Sequence, residues 1–145
     1  MTLNQSILIA DHNAAYCELF SEVLLQLNFG GNVTIINDGT ELIRIINAPD
    51  FAPPSLIFLD IDLTCLNEIN CLTAIRNISL YNCVPVIMLS INARPKAMLE
   101  SFTNGASRYI AKVSSSKRFK SVIKKILTTD TQLLLAPHKS NFLIS

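Results

Sequence analysis

With 145 residues, the chain has room for one compact domain and not for a second of ordinary size. Half of its residues are hydrophobic and 16% are charged, so a sizeable core can form, while a formal net charge of +1 gives no global attraction for nucleic acid or an acidic partner. Nothing approaches the ~18 consecutive apolar residues of a membrane span, and Met1 to Ser6 places no basic segment before a long apolar stretch, so no signal peptide is expected. Cys17, Cys65, Cys71 and Cys83 form no CxxC pair, and the two histidines lie far apart. A zinc site or disulfide framework is not expected on that pattern. A soluble, cytoplasmic protein with reduced cysteines is.

Strand and helix alternate five times along the chain. Residues 6–10 form a strand, and 14–28 an amphipathic helix with Leu19, Val23, Leu24 and Leu27 on one face. Gly30-Gly31 breaks it, 33–36 is the second strand, and Asn37-Asp38-Gly39 turns into a helix carrying Leu42, Ile43 and Ile46. Pro49, Pro53 and Pro54 exclude helix from the next loop. Strand 56–59, helix 68–78, strand 84–89, helix 95–104, strand 107–111 and helix 115–127 complete the series. Lys117, Arg118, Lys120, Lys124 and Lys125 on the last helix read as a solvated basic face. Such an alternation implies right-handed crossovers and a parallel sheet covered on both faces. The expected division is a domain over 1–127 and a tail over 128–145, apolar enough (Leu133-Leu134-Leu135, Asn141-Phe142-Leu143-Ile144) to pack on the domain or on a partner.

Four apolar runs end in a polar residue. Asp11 follows Ile7 to Ala10, Asp60 follows Leu56 to Leu59, Ser90 follows Val86 to Leu89, and Lys112 follows Tyr109 to Ala111. The carboxyl ends of parallel strands form the ligand crevice of such sheets. A carboxylate pair, a hydroxyl and an ammonium therefore converge on one edge, as a phosphoryl-accepting carboxylate with a metal would require. Each residue alone has a plainer explanation. Asp11 could cap the helix beginning at Ala14, Asp60 or Ser90 could serve a turn, and Lys112 could snorkel along the surface. Gly105 need only end a helix.

These segments together resemble the receiver domain of response regulators in two-component signalling, from about Ser6 to Leu127. ILIAD-H-N is similar to a first strand ending in acids, LIFLDIDL to the phosphoacceptor strand, PVIMLS to the strand ending in a switch hydroxyl, and NGASRYIAK to the segment with a switch aromatic and a lysine. KVSSSKRF and the Asn-Phe-Leu ending are most similar to stand-alone receivers of bacterial phosphorelays. The resemblance implies a doubly wound, five-stranded parallel α/β sheet of flavodoxin-like (βα)5 type with strand order 2-1-3-4-5. It also implies a non-enzymatic signalling role, with a phosphoryl group passing from a histidine kinase or phosphotransfer protein onto Asp60. Asp11, Asp60 and the Asp62 backbone carbonyl would hold Mg²⁺. Lys112 and Ser90 would contact phosphoryl oxygens, and Ser90 with Tyr109 would switch a surface read by a downstream protein. Self-association stays open, and neither direct nucleic-acid binding nor membrane binding is implied.

The chain departs from that pattern in three places. His12 stands where a second acid is usual, and imidazole suits softer metals than Mg²⁺. Val113 replaces the proline that usually follows the lysine, and a cis bond before a non-proline costs roughly 3 kcal/mol. Thr64 and Glu68 replace the proline and glycine usual in the loop after Asp60. A receiver-like module that signals by binding alone is therefore the main alternative. Asp60-Ile61-Asp62-Leu63-Thr64 also resembles the DxDxT motif of haloacid-dehalogenase-type phosphatases. That motif normally opens its domain and needs further acids after the lysine, where only Asp130 is found. The first strand leads into no GxGxxG, which excludes dinucleotide binding.

Overall fold

A computed structural model describes residues 5–65, 67, 70–91, 93–112 and 115–145. β1 (Ser6–Ala10) leads to α1 (Ala14–Gln26), β2 (Asn32–Ile36), α2 (Gly39–Ile46), β3 (Leu56–Asp60) and α3 (Cys71–Arg76). β4 (Val86–Ser90), α4 (Pro95–Thr103), β5 (Arg108–Ala111) and α5 (Ser116–Thr128) follow, then α6 (Thr131–Leu135) and a short β6 (Leu143–Ile144). All pairings are parallel, in the order β2-β1-β3-β4-β5-β6. The expected core order holds, but among the described residues the sheet has six strands rather than five.

Alternation along the strands feeds two cores. Leu8, Leu59, Met88 and Tyr109 face α2, α3 and α4, whereas Ile9, Phe58, Leu89 and Ile110 face α1 and α5. β3 and β4 are buried along their whole length, because helices cover both faces. On α1 the deepest contacts come from Cys17, Phe20, Val23 and Leu24, with Leu19 and Leu27 only partly buried. Phe20 meets Phe58 and Phe119 edge-on, at centroid separations of 4.6 and 5.0 Å. Each such pair contributes about 1 kcal/mol beyond area burial.

Helix ends follow local chemistry. Asn13, Asp38, Asn70 and Ser115 cap α1, α2, α3 and α5 by accepting backbone N–H bonds. α1 stops before the Gly30-Gly31 pair, because Asn28 itself takes a left-handed φ of 57°. Gly105, at φ 97°, ends α4 in a Schellman arrangement: its N–H donates to Phe102 O and that of Ala106 to Ser101 O. Gly39 serves close approach, since a Cβ there would lie 2.4 Å from Thr64 O, in the loop that follows Asp60.

The sixth strand comes from the tail. The Tyr109 N–H donates to Phe142 O at 2.9 Å, and the Phe142 ring is buried against Phe102 and Tyr109. Arg108, also buried, donates to the carbonyls of Ser107, Leu133 and Leu134. Its guanidinium thus satisfies the C-terminal end of α6 and ties it beneath β5, while burial pushes its pKa below the ordinary value.

Candidate functional site

The register sets the site. Ala10 pairs with Leu59, Asp60 with Leu89, and Ser90 with Ala111. Asp11, Asp60, Ser90 and Lys112 therefore stand at the same carboxyl edge on four neighbouring strands. Asp11, Asp60 and Ser90 are buried, and the Lys112 side chain is only 9% exposed. Ser90 lies two residues beyond Met88, on the face shared with Tyr109.

The Lys112 ammonium lies 2.7 Å from Asp11 Oδ2 and 3.7 Å from Asp60 Oδ2. The first contact is an ion pair without hydrogen-bond geometry, so the buried Asp11 Oδ2 has no hydrogen-bond donor among the described residues. Asp11 Oδ1 accepts from the Asn13 N–H at 2.9 Å, and Asp60 Oδ1 from the Asp62 N–H at 3.1 Å. Helix α1 has its cap in Asn13, so Asp11 is not spent on that task. Burial pushes the Asp60 carboxyl above its ordinary pKa, and the Asp11 charge adds to this; the Asp62 N–H and Lys112 oppose it.

His12 enters the pocket directly. Its Nδ1 is 2.6 Å from Asp60 Oδ2 and 3.9 Å from Asp11 Oδ1, while 57% of its side chain is exposed. With Asp60 ionised, the imidazole N–H is the donor. Asp11, His12 and Asp60 each offer a donor atom, and these atoms lie within 4.8 Å of one another. Such a group could hold a metal ion, with only His12 exposed.

Three contacts were not foreseen from sequence. Tyr16, one turn into α1, places its ring 4.7 Å below the Lys112 ammonium and leans on Phe119. Asn37 donates to Asp11 O at 3.0 Å, and Arg94 pairs with Asp62 at 3.2 Å, drawing that side chain to the surface. Tyr109 is fully buried, with the Phe142 ring against it. Asp130 caps α6 by accepting from the Gln132 N–H, a task separate from the pocket. Val113 and Glu68, two of the departures named above, lie outside the described residues. All four cysteines are free thiols; Cys65 and Cys71 have sulfurs 4.0 Å apart, and burial with that neighbour pushes Cys71 up to about 12.

A doubly wound parallel sheet with a buried acid pair, a hydroxyl and a lysine at one edge defines a class of signalling domain. The family model for the response regulator receiver domain matches residues 7–124, and the chain belongs to that family. Among curated proteins it is 21% identical over 123 residues to a probable methanogenesis regulatory protein, FilR2, of Methanothrix harundinacea, covering 83% of this chain and 79% of that one. Among solved structures it is similar to the phosphorylated cyanobacterial phytochrome response regulator RcpA (TM-score 0.73, 22% identity, 85% of this chain and 91% of that one). The Mn²⁺-bound response regulator Rcp1 is similar to the same degree (TM-score 0.73, 21% identity, 84% and 91% covered). The chemotaxis response regulator CheY4 of Vibrio cholerae matches at TM-score 0.67, with 20% identity and 85% and 98% covered. At these identities the structural likeness speaks for the fold. Among the described residues, no helix is long and apolar enough to cross a membrane.

Proposed function

We propose that Asp60 accepts a phosphoryl group from a histidine kinase or phosphotransfer protein, and that the modified pocket changes a surface recognised by a downstream protein in the cytoplasm. The observation that carries this reading is the burial of Asp60 beside Asp11 with one ammonium, Lys112, serving both. In the transfer, an Asp60 oxygen bonds to phosphorus as the P–N bond of the donor breaks, and the leaving nitrogen takes a proton from water. Lys112 is placed to move from the carboxylates to an incoming phosphoryl oxygen, and Ser90 to donate to another. Tyr16 keeps the ammonium aimed into the pocket.

The donor set fits a dication. Asp11 and Asp60 bring hard oxygens that lie within 4.8 Å of each other and of His12 Nδ1. Mg²⁺, the family's ion, would be held by these carboxylates with the Asp62 carbonyl as a third oxygen. Such an ion offsets the charge shared by the nucleophile and the phosphoryl oxygens. That RcpA was solved phosphorylated and Rcp1 with Mn²⁺ supports the reading.

One observation favours a second reading, an interaction module that signals unphosphorylated: His12 Nδ1 already occupies Asp60 Oδ2 at 2.6 Å. Incubating the chain with phosphoramidate and Mg²⁺ or Mn²⁺, followed by intact mass measurement, separates the two. Asp60 acceptance gives a gain of one phosphoryl group that disappears in Asp60→Asn. Equal labelling of that variant removes the assignment, and no labelling of the parent chain with either ion leaves the second reading.

A further inference from the structure

We infer that Asp11, His12 and Asp60 form a mixed nitrogen–oxygen site that selects a borderline first-row transition-metal dication over Mg²⁺, with His12 Nδ1 as a ligand. The inference rests on reading this pocket as the receiver's cation site, and it changes which ion that site takes.

Geometry comes first. Across an octahedral metal with bonds of about 2.1 Å, adjacent donors stand about 3 Å apart and opposite donors about 4 Å. The 3.9 Å between His12 Nδ1 and Asp11 Oδ1 is close to the opposite separation. The 2.6 Å between Nδ1 and Asp60 Oδ2 is a hydrogen bond that must open slightly to admit an ion. Both carboxylates are anchored by backbone N–H groups through their Oδ1 atoms, whereas the half-exposed imidazole is free to make that adjustment. The metal then replaces the Nδ1 hydrogen, and the proton reappears on Nε2 by exchange with water, so no net proton is released.

Charge and softness decide which ion wins. Two carboxylates and the Lys112 ammonium, only 2.7 Å from Asp11 Oδ2, leave the pocket one net negative charge when His12 is neutral. An acid in place of His12 would leave two. Mg²⁺ binds largely through charge and sheds water reluctantly, so this loss falls hardest on it. Transition ions recover affinity through the nitrogen bond, in the order Mn²⁺ < Co²⁺ < Ni²⁺. The repulsion from Lys112 is common to all dications and does not alter the choice.

Mn²⁺ is the most demanding probe, because it is the hardest of these ions. Pulsed electron paramagnetic resonance of the full chain with Mn²⁺ should show ¹⁴N coupling from a directly bound imidazole. The coupling should be absent in His12→Ala and His12→Asp, which excludes His138 as its source. Displacement of Mn²⁺ by Mg²⁺ should give a Mn²⁺ preference larger in the parent chain than in His12→Asp. Missing ¹⁴N coupling in the parent, or an equal preference in His12→Asp, overturns the inference. A chain labelled on Asp60 without nitrogen coupling refutes this inference alone; nitrogen coupling without labelling refutes the acceptor reading alone.

Discussion

At the scale of single residues, Lys112 sets the charge balance of the pocket. Its ammonium is the counter-charge to two buried carboxylates, with the Tyr16 ring beneath it. Lys112→Met leaves the two acids facing each other without it, and removing one partner of a buried ion pair costs about 3 kcal/mol. Urea unfolding at neutral pH should show a loss of that order. Asp60→Asn acts in the opposite direction: it removes a charge that burial and Asp11 both oppose, so the urea midpoint should rise. The double variant should recover part of the Lys112→Met loss, because the two changes share one network. Asp11, Asp60, Ser90 and Lys112 were legible in the sequence because each ends an apolar run, and parallel strands bring their carboxyl ends to one edge of the sheet. Tyr16 and Arg94 were not legible. Their contacts depend on how α1 and the segment before α4 lie against the sheet, which periodicity does not specify.

At the scale of elements, the strands and the first five helices followed from pattern, with boundaries shifted by caps such as Asn70 and by the left-handed Asn28. The tail did not. A strand of two residues carries no alternation to read, and α6 is a single short turn held by Arg108 rather than by its own propensity. Its anchor is Phe142, buried between α4 and β5. Phe142→Ala should cost about 3 kcal/mol, in the range for aromatic truncation in a core. The same change should unpair β6, so hydrogen exchange at the Tyr109 amide, which donates to Phe142 O, should quicken toward that of an exposed edge strand. Unchanged protection at Tyr109 would mean that β6 is held by Leu143 and Ile144 alone.

At the scale of the whole molecule, the tail ties the proposed switch to the sheet edge. Ser90 and Tyr109 share a face, and Phe142 closes over Tyr109, so under the proposed switch a change at the pocket would reach the surface through β4, β5, β6 and α4. Such a device responds only as far as its two states differ in contact energy with the modified pocket. Binding of beryllofluoride with Mg²⁺ or Mn²⁺ should shift amide signals most over residues 94–127 and around Phe142, and little over residues 33–46, which pack at the far edge. Shifts confined to β1 and β2 would refute the switch even with Asp60 modified.

All of these expectations depend on where the phosphoryl group sits, and that can be read chemically. Borohydride reduces an aspartyl phosphate to homoserine, so treating the phosphoramidate-labelled chain and sequencing its peptides by mass spectrometry marks the acceptor. Homoserine at residue 60 alone is the result expected. Homoserine at residue 62 or 11, with residue 60 intact, would contradict it.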